Sequence, residues 1–223
     1  MPWSWSLSLS SSEWIAIGIA AAVVFAPQAW QVTRHAATLV HEAGHALVAV
    51  ATGRRLNGIR LHSDTSGLTV STGRRAGIGM LATAAAGYPA PSLVGLGVIA
   101  LVEAGRNSWA LAATLLILAT MVLYIRNWFG LLVVASAGAT AAIVTYRIEG
   151  PAQTLALQTF SWFLLFAGAR AAIELWSHRR SSRSRTSDAD LLARLTHVPA
   201  ALWNIGFIAV ALAAVGAAVR LIG

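Results

Sequence analysis

Apolar positions in this chain fall into long, nearly unbroken runs rather than the alternation of a half-buried strand or the narrow stripe of a surface helix. Seven runs approach the about 20 residues that a helix needs to cross a hydrocarbon core. They cover roughly 13–30, 35–52, 76–101, 108–125, 128–146, 153–177 and 199–221. Only Arg126 and Asn127 separate the short fourth and fifth, so six to eight spans fit the same pattern. The pattern predicts an all-α integral membrane protein of about seven transmembrane helices, one polytopic domain over 1–223.

Two polar insertions interrupt the runs. In Gly53 to Arg75, the alternating stretches Ile59-Arg60-Leu61-His62 and Leu68-Thr69-Val70-Ser71 flank Ser63-Asp64-Thr65-Ser66-Gly67. That arrangement predicts a small β-hairpin over about 56–72. The second insertion, about 177–190, is basic and serine-rich and reads as a loop. Gly77, Gly79, Gly87, Gly95 and Gly97, with Pro89 and Pro91, make the third run irregular, which suits close helix packing.

Composition agrees with a lipid solvent, since 57% of residues are hydrophobic and 11% charged, more apolar side chain than a soluble domain of this length hides. The formal charge of +8 comes entirely from arginine and sits mostly between the runs. Topology and anionic headgroups account for it there, and nucleic acid is not an expected partner. With no cysteine, any metal must be held by His, Asp or Glu. Met1 to Ser12 contains no Lys or Arg and so lacks the basic region of a secretory signal; the segment is expected to be retained.

Loop arginines set an orientation. With seven spans and a cytoplasmic amino terminus, the cytoplasmic side holds Arg54, Arg55, Arg60, Arg74, Arg75, Arg126, Arg179, Arg180, Arg183, Arg185 and Arg194, against Arg34, Arg106, Arg147 and Arg220 outside. This bias puts the end of the second span, the hairpin and Ser187 to Asp190 on one, cytoplasmic, face.

The chemistry lies in His41-Glu42-Ala43-Gly44-His45. Histidines four apart on a helix share a face and can chelate one ion. In such an HExxH arrangement they bind zinc, and the glutamate takes a proton from the attacking water and passes it to the leaving amine. Ionisable groups within an apolar run are costly unless paired or ligated, which favours a functional site. A catalytic zinc usually takes a third protein ligand. Asp188 and Asp190 precede the last run, and Ser187 with Asp190 resembles a helix-capping box. Asp188 is therefore the better candidate, with Asp190, His197 and Glu174 in reserve.

The sequence resembles the site-2 protease family of intramembrane zinc metallopeptidases, in particular its small bacterial branch without a PDZ domain. The likeness rests on Thr38-Leu39-Val40-His41-Glu42-Ala43-Gly44-His45-Ala46-Leu47, on the hairpin followed by Ala85-Ala86-Gly87-Tyr88-Pro89-Ala90-Pro91, and on Ser187-Asp188-Ala189. Asp188 has neither Leu before it nor Gly after it, unlike the family's usual signature. The resemblance implies a zinc endopeptidase with Glu42 catalytic and His41, His45 and Asp188 on the metal. It further implies cleavage in or near a transmembrane segment of another membrane protein, in a bacterial plasma membrane. Such a segment must unwind to expose a carbonyl, and the hairpin is suited to take it as an added strand. Two rivals stand beside this reading. A CAAX-processing type of membrane zinc protease would use Glu103 or Glu149 as third ligand; a metal-binding scaffold or transporter-like protein would not cleave at all.

Other polar residues have structural readings. Arg170 and Glu174 are spaced to pair, and Asn204 suits a helix-to-helix hydrogen bond. Trp14, Trp30, Trp109, Trp128, Trp176 and Trp203 fall near span ends, as interfacial anchors do.

Overall fold

A computed structural model describes residues 10–181 and 186–223. All seven apolar runs are helical, and the strands among the described residues form one two-stranded sheet, to which Ile125 adds a single β-bridge at Ile59. The all-α membrane class expected from the sequence holds. Among the described residues four helices are by themselves long and apolar enough to cross a bilayer: α5 (Asn107–Tyr124), α6 (Trp128–Tyr146), α7 (Gly150–Ser181) and α9 (Ala200–Ile222). Two bent pairs raise the count to six. In one, α1 (Ser11–Phe25) and α2 (Pro27–Ala51) meet at 99°; in the other, α3 (Ile78–Ala86) and α4 (Pro89–Glu103) meet at 69°. The count of seven treated the first two runs as separate crossings. Carrying Arg34, His35, His41, Glu42 and His45, α2 is apolar enough only together with α1.

Both bends have local causes. Pro27 cannot donate a helical hydrogen bond, and Ala26 before it is extended, at φ −75° and ψ 123°. The break frees the Val24 carbonyl, which accepts a hydrogen bond from the Arg170 guanidinium of α7. Arg170 pairs with Glu174 at 2.7 Å, as their spacing predicts, and Glu174 also meets Arg34 at 3.5 Å. Trp30, expected as an interfacial anchor, is instead buried in this cluster because the bend turns the start of α2 against α7. Its indole N–H donates to Glu174 at 3.0 Å, and Arg170 lies over its ring. Trp109 and Trp128 are exposed, as anchors require.

The centre of the bundle is α7. Of its apolar window 56% is buried, against 11% for α6, so α7 is sheathed by helices while α6 faces outward. It packs on α1, α4 and α9 around Trp162, Leu164 and Leu165. Contact with α4 is close at two glycines. A Cβ on Gly95 would lie 2.7 Å from the Ser161 carbonyl, and one on Gly168 would strike Ser92 Oγ. Small residues at a crossing allow such an approach in lipid. Asn204 of α9 donates to the Ala172 carbonyl of α7 at 2.9 Å, the expected interhelical bond.

The hairpin comprises β1 (Arg55–Leu61) and β2 (Gly67–Thr72), antiparallel, with Ile59 opposite Thr69. At its turn Asp64 accepts from the Ser66 N–H and hydroxyl at 2.9 and 2.7 Å. These bonds hold its carboxyl below the ordinary value. Thr38 of α2 donates to the Thr65 carbonyl at 2.9 Å and pins the turn to the helix. The faces of β2 are inverted relative to a water-soluble sheet: Leu68 and Val70 are 50% and 41% exposed, while Thr69 and Ser71 are partly covered. Apolar residues outward suit a strand bordered by lipid.

The outer edge of β1 is occupied. Arg126 N–H donates to the Ile59 carbonyl at 2.9 Å, and the Asn127 side chain bonds both the N–H and the C=O of Leu61. Because Ile59 and Leu61 bond outward and His62 bonds Ser66 across the turn, the alternation of an antiparallel ladder turns the N–H and C=O of Gly67 and Thr69 away from β1. Among the described residues this leaves β2 with a free edge.

The basic loop is shorter at both ends than expected. Residues 177–181 continue α7, where His178, Arg179 and Arg180 complement the negative end of the helix dipole, and α8 (Asp188–Thr196) begins before Asp190. Arg183 and Arg185, and the segment before Ser10, lie outside the described residues.

Candidate metal centre

His41 and His45 lie one turn apart on α2, and their Nε2 atoms are 3.1 Å from each other. Asp188 Oδ2, at the first residue of α8, lies 3.2 Å from each. This triangle is the one group of metal-ligating side chains among the described residues. Four donors held tetrahedrally at 2.0–2.1 Å from zinc are about 3.3 Å apart, so the triangle has the size of one face of such a shell. Two imidazoles and a carboxylate also suit zinc chemically, and three protein donors leave a fourth position open.

Each donor is aimed by a neighbour. His45 Nδ1 is 2.7 Å from the Thr83 carbonyl of α3. A carbonyl can only accept, so Nδ1 carries the proton, and Nε2 is the ring nitrogen left to bind a metal. His41 rests edge-on against Tyr88, with ring centroids 4.8 Å apart, and Tyr88 stacks on Phe207 of α9 at 5.1 Å. Asp188 is delivered by the start of α8. The Ser187 hydroxyl accepts from the Asp190 N–H, and Asp190 accepts in return from the Ser187 N–H and hydroxyl at 3.2 and 2.6 Å. Asp190 therefore turns into its own helix cap and onto Arg179, while Asp188 points the other way. Burial pushes the Asp190 carboxyl up, but Arg179 and Ser187 outweigh it and hold it below the usual carboxylate range.

Two glycines make room. A Cβ on Gly87, at the break between α3 and α4, would lie 2.6 Å from His41 Nε2 and collide with His45 Nε2. Gly87 thus clears the space into which both imidazoles point. A Cβ on Gly44 would lie 2.5 Å from Ala90 Cβ and 2.9 Å from the Ala86 carbonyl, so α2 seats directly on the α3–α4 break.

Glu42 is 3% exposed and faces the hairpin. Thr69 of β2 donates to its Oε2 at 2.6 Å, and Gly67 lies against its carboxylate with no room for a Cβ. A buried carboxylate beside two potential ligands, fixed by one hydroxyl, has the position of a general base.

The other candidates stand elsewhere. Glu174 is engaged by Arg170, Arg34 and Trp30. His197 closes the far end of α8 in a left-handed conformation, φ 60°. Glu103 ends α4 beside Gln158, and Glu149 is exposed before α7. Sequence reasoning did not single out Thr69, Thr83 or Gly67. A hydroxyl between two apolar strand residues, Leu68-Thr69-Val70, was the available signal for Thr69. The partner of His45 is a backbone carbonyl, to which the residue type at position 83 gives no clue.

Residues 14–218 match the family described as Peptidase M50B-like. No curated protein and no solved structure matches the chain.

Proposed function

Because the chain belongs to the Peptidase M50B-like family, whose members are membrane metallopeptidases of the site-2 protease type, we propose that it is an intramembrane zinc endopeptidase. It would cleave a peptide bond in or near a transmembrane segment of another membrane protein. One observation carries the reading: His41, His45 and Asp188, from the two ends of the sequence, meet within 3.2 Å beside the buried carboxylate of Glu42.

His41, His45 and Asp188 are the ligands. A bound zinc would supply Lewis acidity toward the scissile carbonyl and toward water. Glu42 accepts the proton of the attacking water and returns it to the leaving amine, and Thr69 holds its carboxylate in place for both transfers. Gly67 and Thr69 offer the unwound substrate a strand edge beside Glu42, which keeps the scissile peptide extended. The eleven loop arginines favour a cytoplasmic position for this end of the molecule, in a bacterial plasma membrane.

Glu42→Gln tests the assignment. The variant, purified in detergent under non-chelating conditions, should carry zinc in the wild-type ratio and lose cleavage of a transmembrane model substrate by at least about a hundredfold. Wild-type protein that binds no zinc, or a Glu42→Gln variant that still cleaves at full rate, would overturn it.

A further inference from the structure

Two elements flank the catalytic face of α2. On the Glu42 side runs β2, touching it through Gly67 and Thr69. On the His45 side runs α3, antiparallel to α2, with Gly87 at the imidazoles, Thr83 on His45 and Gly79 beside Thr52 at the end of the helix. Followed away from the metal centre, these walls end at a cavity of about 500 Å³ lined by Arg54, Ser71, Thr72, Gly73, Arg75 and Met80. One wall supplies Ser71 and Thr72, the other Met80, and the turn after α2 supplies Arg54. The cavity therefore lies between the same two elements, β2 and α3, that flank the metal centre.

Its chemistry is anion-binding. Arg54 is held across the cavity by two donated hydrogen bonds, Nε to Ser71 Oγ at 3.1 Å and Nη1 to the Arg74 carbonyl at 2.6 Å. Among the described residues no carboxylate pairs with Arg54 or Arg75. Arg54 and Arg75 both line this space beside Ser71, and its lining contains no acidic residue. A fixed guanidinium without a partner carboxylate is suited to a charge-assisted bond with an incoming one.

We propose that this cavity is a subsite for an acidic side chain of the substrate, placed two to four residues from the scissile bond. The inference rests on the proteolytic reading above. Thr69 lies beside Glu42, and Ser71 to Gly73 lie two to four residues further along the strand, ~7–13 Å at about 3.3 Å per residue. An extended substrate paired along β2 reaches the cavity over that distance. Its Asp or Glu, bound by Arg54 and Arg75, fixes the register of the unwound segment and so selects which peptide bond meets Glu42. Its place at the end of β2, the strand that also touches Glu42, favours a side chain of the substrate over a lipid headgroup.

The test uses the full chain in phosphatidylcholine vesicles, with a transmembrane model substrate carrying Asp or Asn at each position from four residues before to four residues after the scissile bond. One position two to four residues away should show an Asp-over-Asn preference of roughly tenfold in kcat/KM. Measured as a ratio within each variant, that preference should fall to about one in Arg75→Gln and in Arg54→Gln. In Arg75→Glu, Lys at the same position should become the preferred residue. Cleavage that proceeds with no Asp preference at any position, or a preference untouched by either arginine variant, overturns the subsite alone. A rate gain from phosphatidylglycerol that Arg75→Gln abolishes, without any effect of substrate charge, assigns the cavity to a lipid headgroup and also overturns it. Cleavage of no substrate in the series overturns the proteolytic reading and the subsite with it.

Discussion

At the scale of single residues, two aspartates two positions apart have opposite tasks, and a helix start divides them. Asp190 is third in α8, where its carboxylate closes the capping box with Ser187 and pairs with Arg179. Asp188 is first, outside that hydrogen-bonding pattern, and its carboxylate reaches both imidazoles. The two alanine variants should therefore separate. Asp188→Ala should lose at least about tenfold in zinc affinity with α8 intact, because one of three donors is gone. Asp190→Ala should keep its zinc and lose about 1–2 kcal/mol of stability with the cap. Metal analysis and thermal unfolding of both proteins check this. Equal zinc loss in the two would mean that Asp188 depends on Asp190 for its placement rather than acting as a separate ligand. This pair was legible in the sequence because the Ser-x-x-Asp spacing claims one carboxylate and leaves the other. Thr83 was not legible, since its carbonyl, not its side chain, orients His45.

At the scale of elements, the apolar runs located the long helices but neither the short α8 nor the breaks within the spans. Pro27 and the Gly87-Tyr88-Pro89 step lie inside continuous apolar runs, and hydropathy is blind to a bend that leaves composition unchanged. Both breaks matter to the site: one turns α2 against α7, and the other puts Gly87 under the imidazoles. The hairpin was legible from its alternation, but not which face turns inward, because lipid reverses the usual rule and leaves Leu68 and Val70 outside. Its free edge makes a prediction about Thr69, which combines a hydroxyl on Glu42 with an outward N–H. Thr69→Val removes the hydroxyl, keeps the N–H, and should lower kcat by roughly tenfold with KM little changed. Thr69→Pro also removes the N–H, which the ladder to β1 does not use, and edge strands tolerate proline. This second variant should raise KM as well. Identical kinetics in the two variants would remove strand addition from the mechanism and leave Thr69 as a positioning residue for Glu42.

At the scale of the whole molecule, the candidate centre joins parts of the chain that little else connects. His45 and Asp188 are 143 residues apart in sequence, and between them the chain passes through the hairpin and α3 to α7. With its short length, α8 is held by packing of Leu192 and Ala189 against α3 and α9 and by the Arg179–Asp190 pair. A metal bound by both α2 and α8 ties this small helix to the bundle, so ligation and tertiary stability are linked. A ligand that binds only the folded state stabilises it by RT ln(1 + [L]/Kd), about 4 kcal/mol at a thousandfold excess over Kd. The midpoint of thermal unfolding in detergent should therefore rise with free zinc and fall on chelation. The same dependence should survive in Glu42→Gln, whose altered group is the proposed base and not a ligand, and should be weakened in Asp188→Ala, by about 1.4 kcal/mol for each tenfold of affinity lost. This pattern separates ligation from catalysis without any cleavage assay. A midpoint indifferent to zinc in the wild type would leave the three donors as a hydrogen-bonded cluster, in which Asp188 holds two histidines rather than sharing an ion with them.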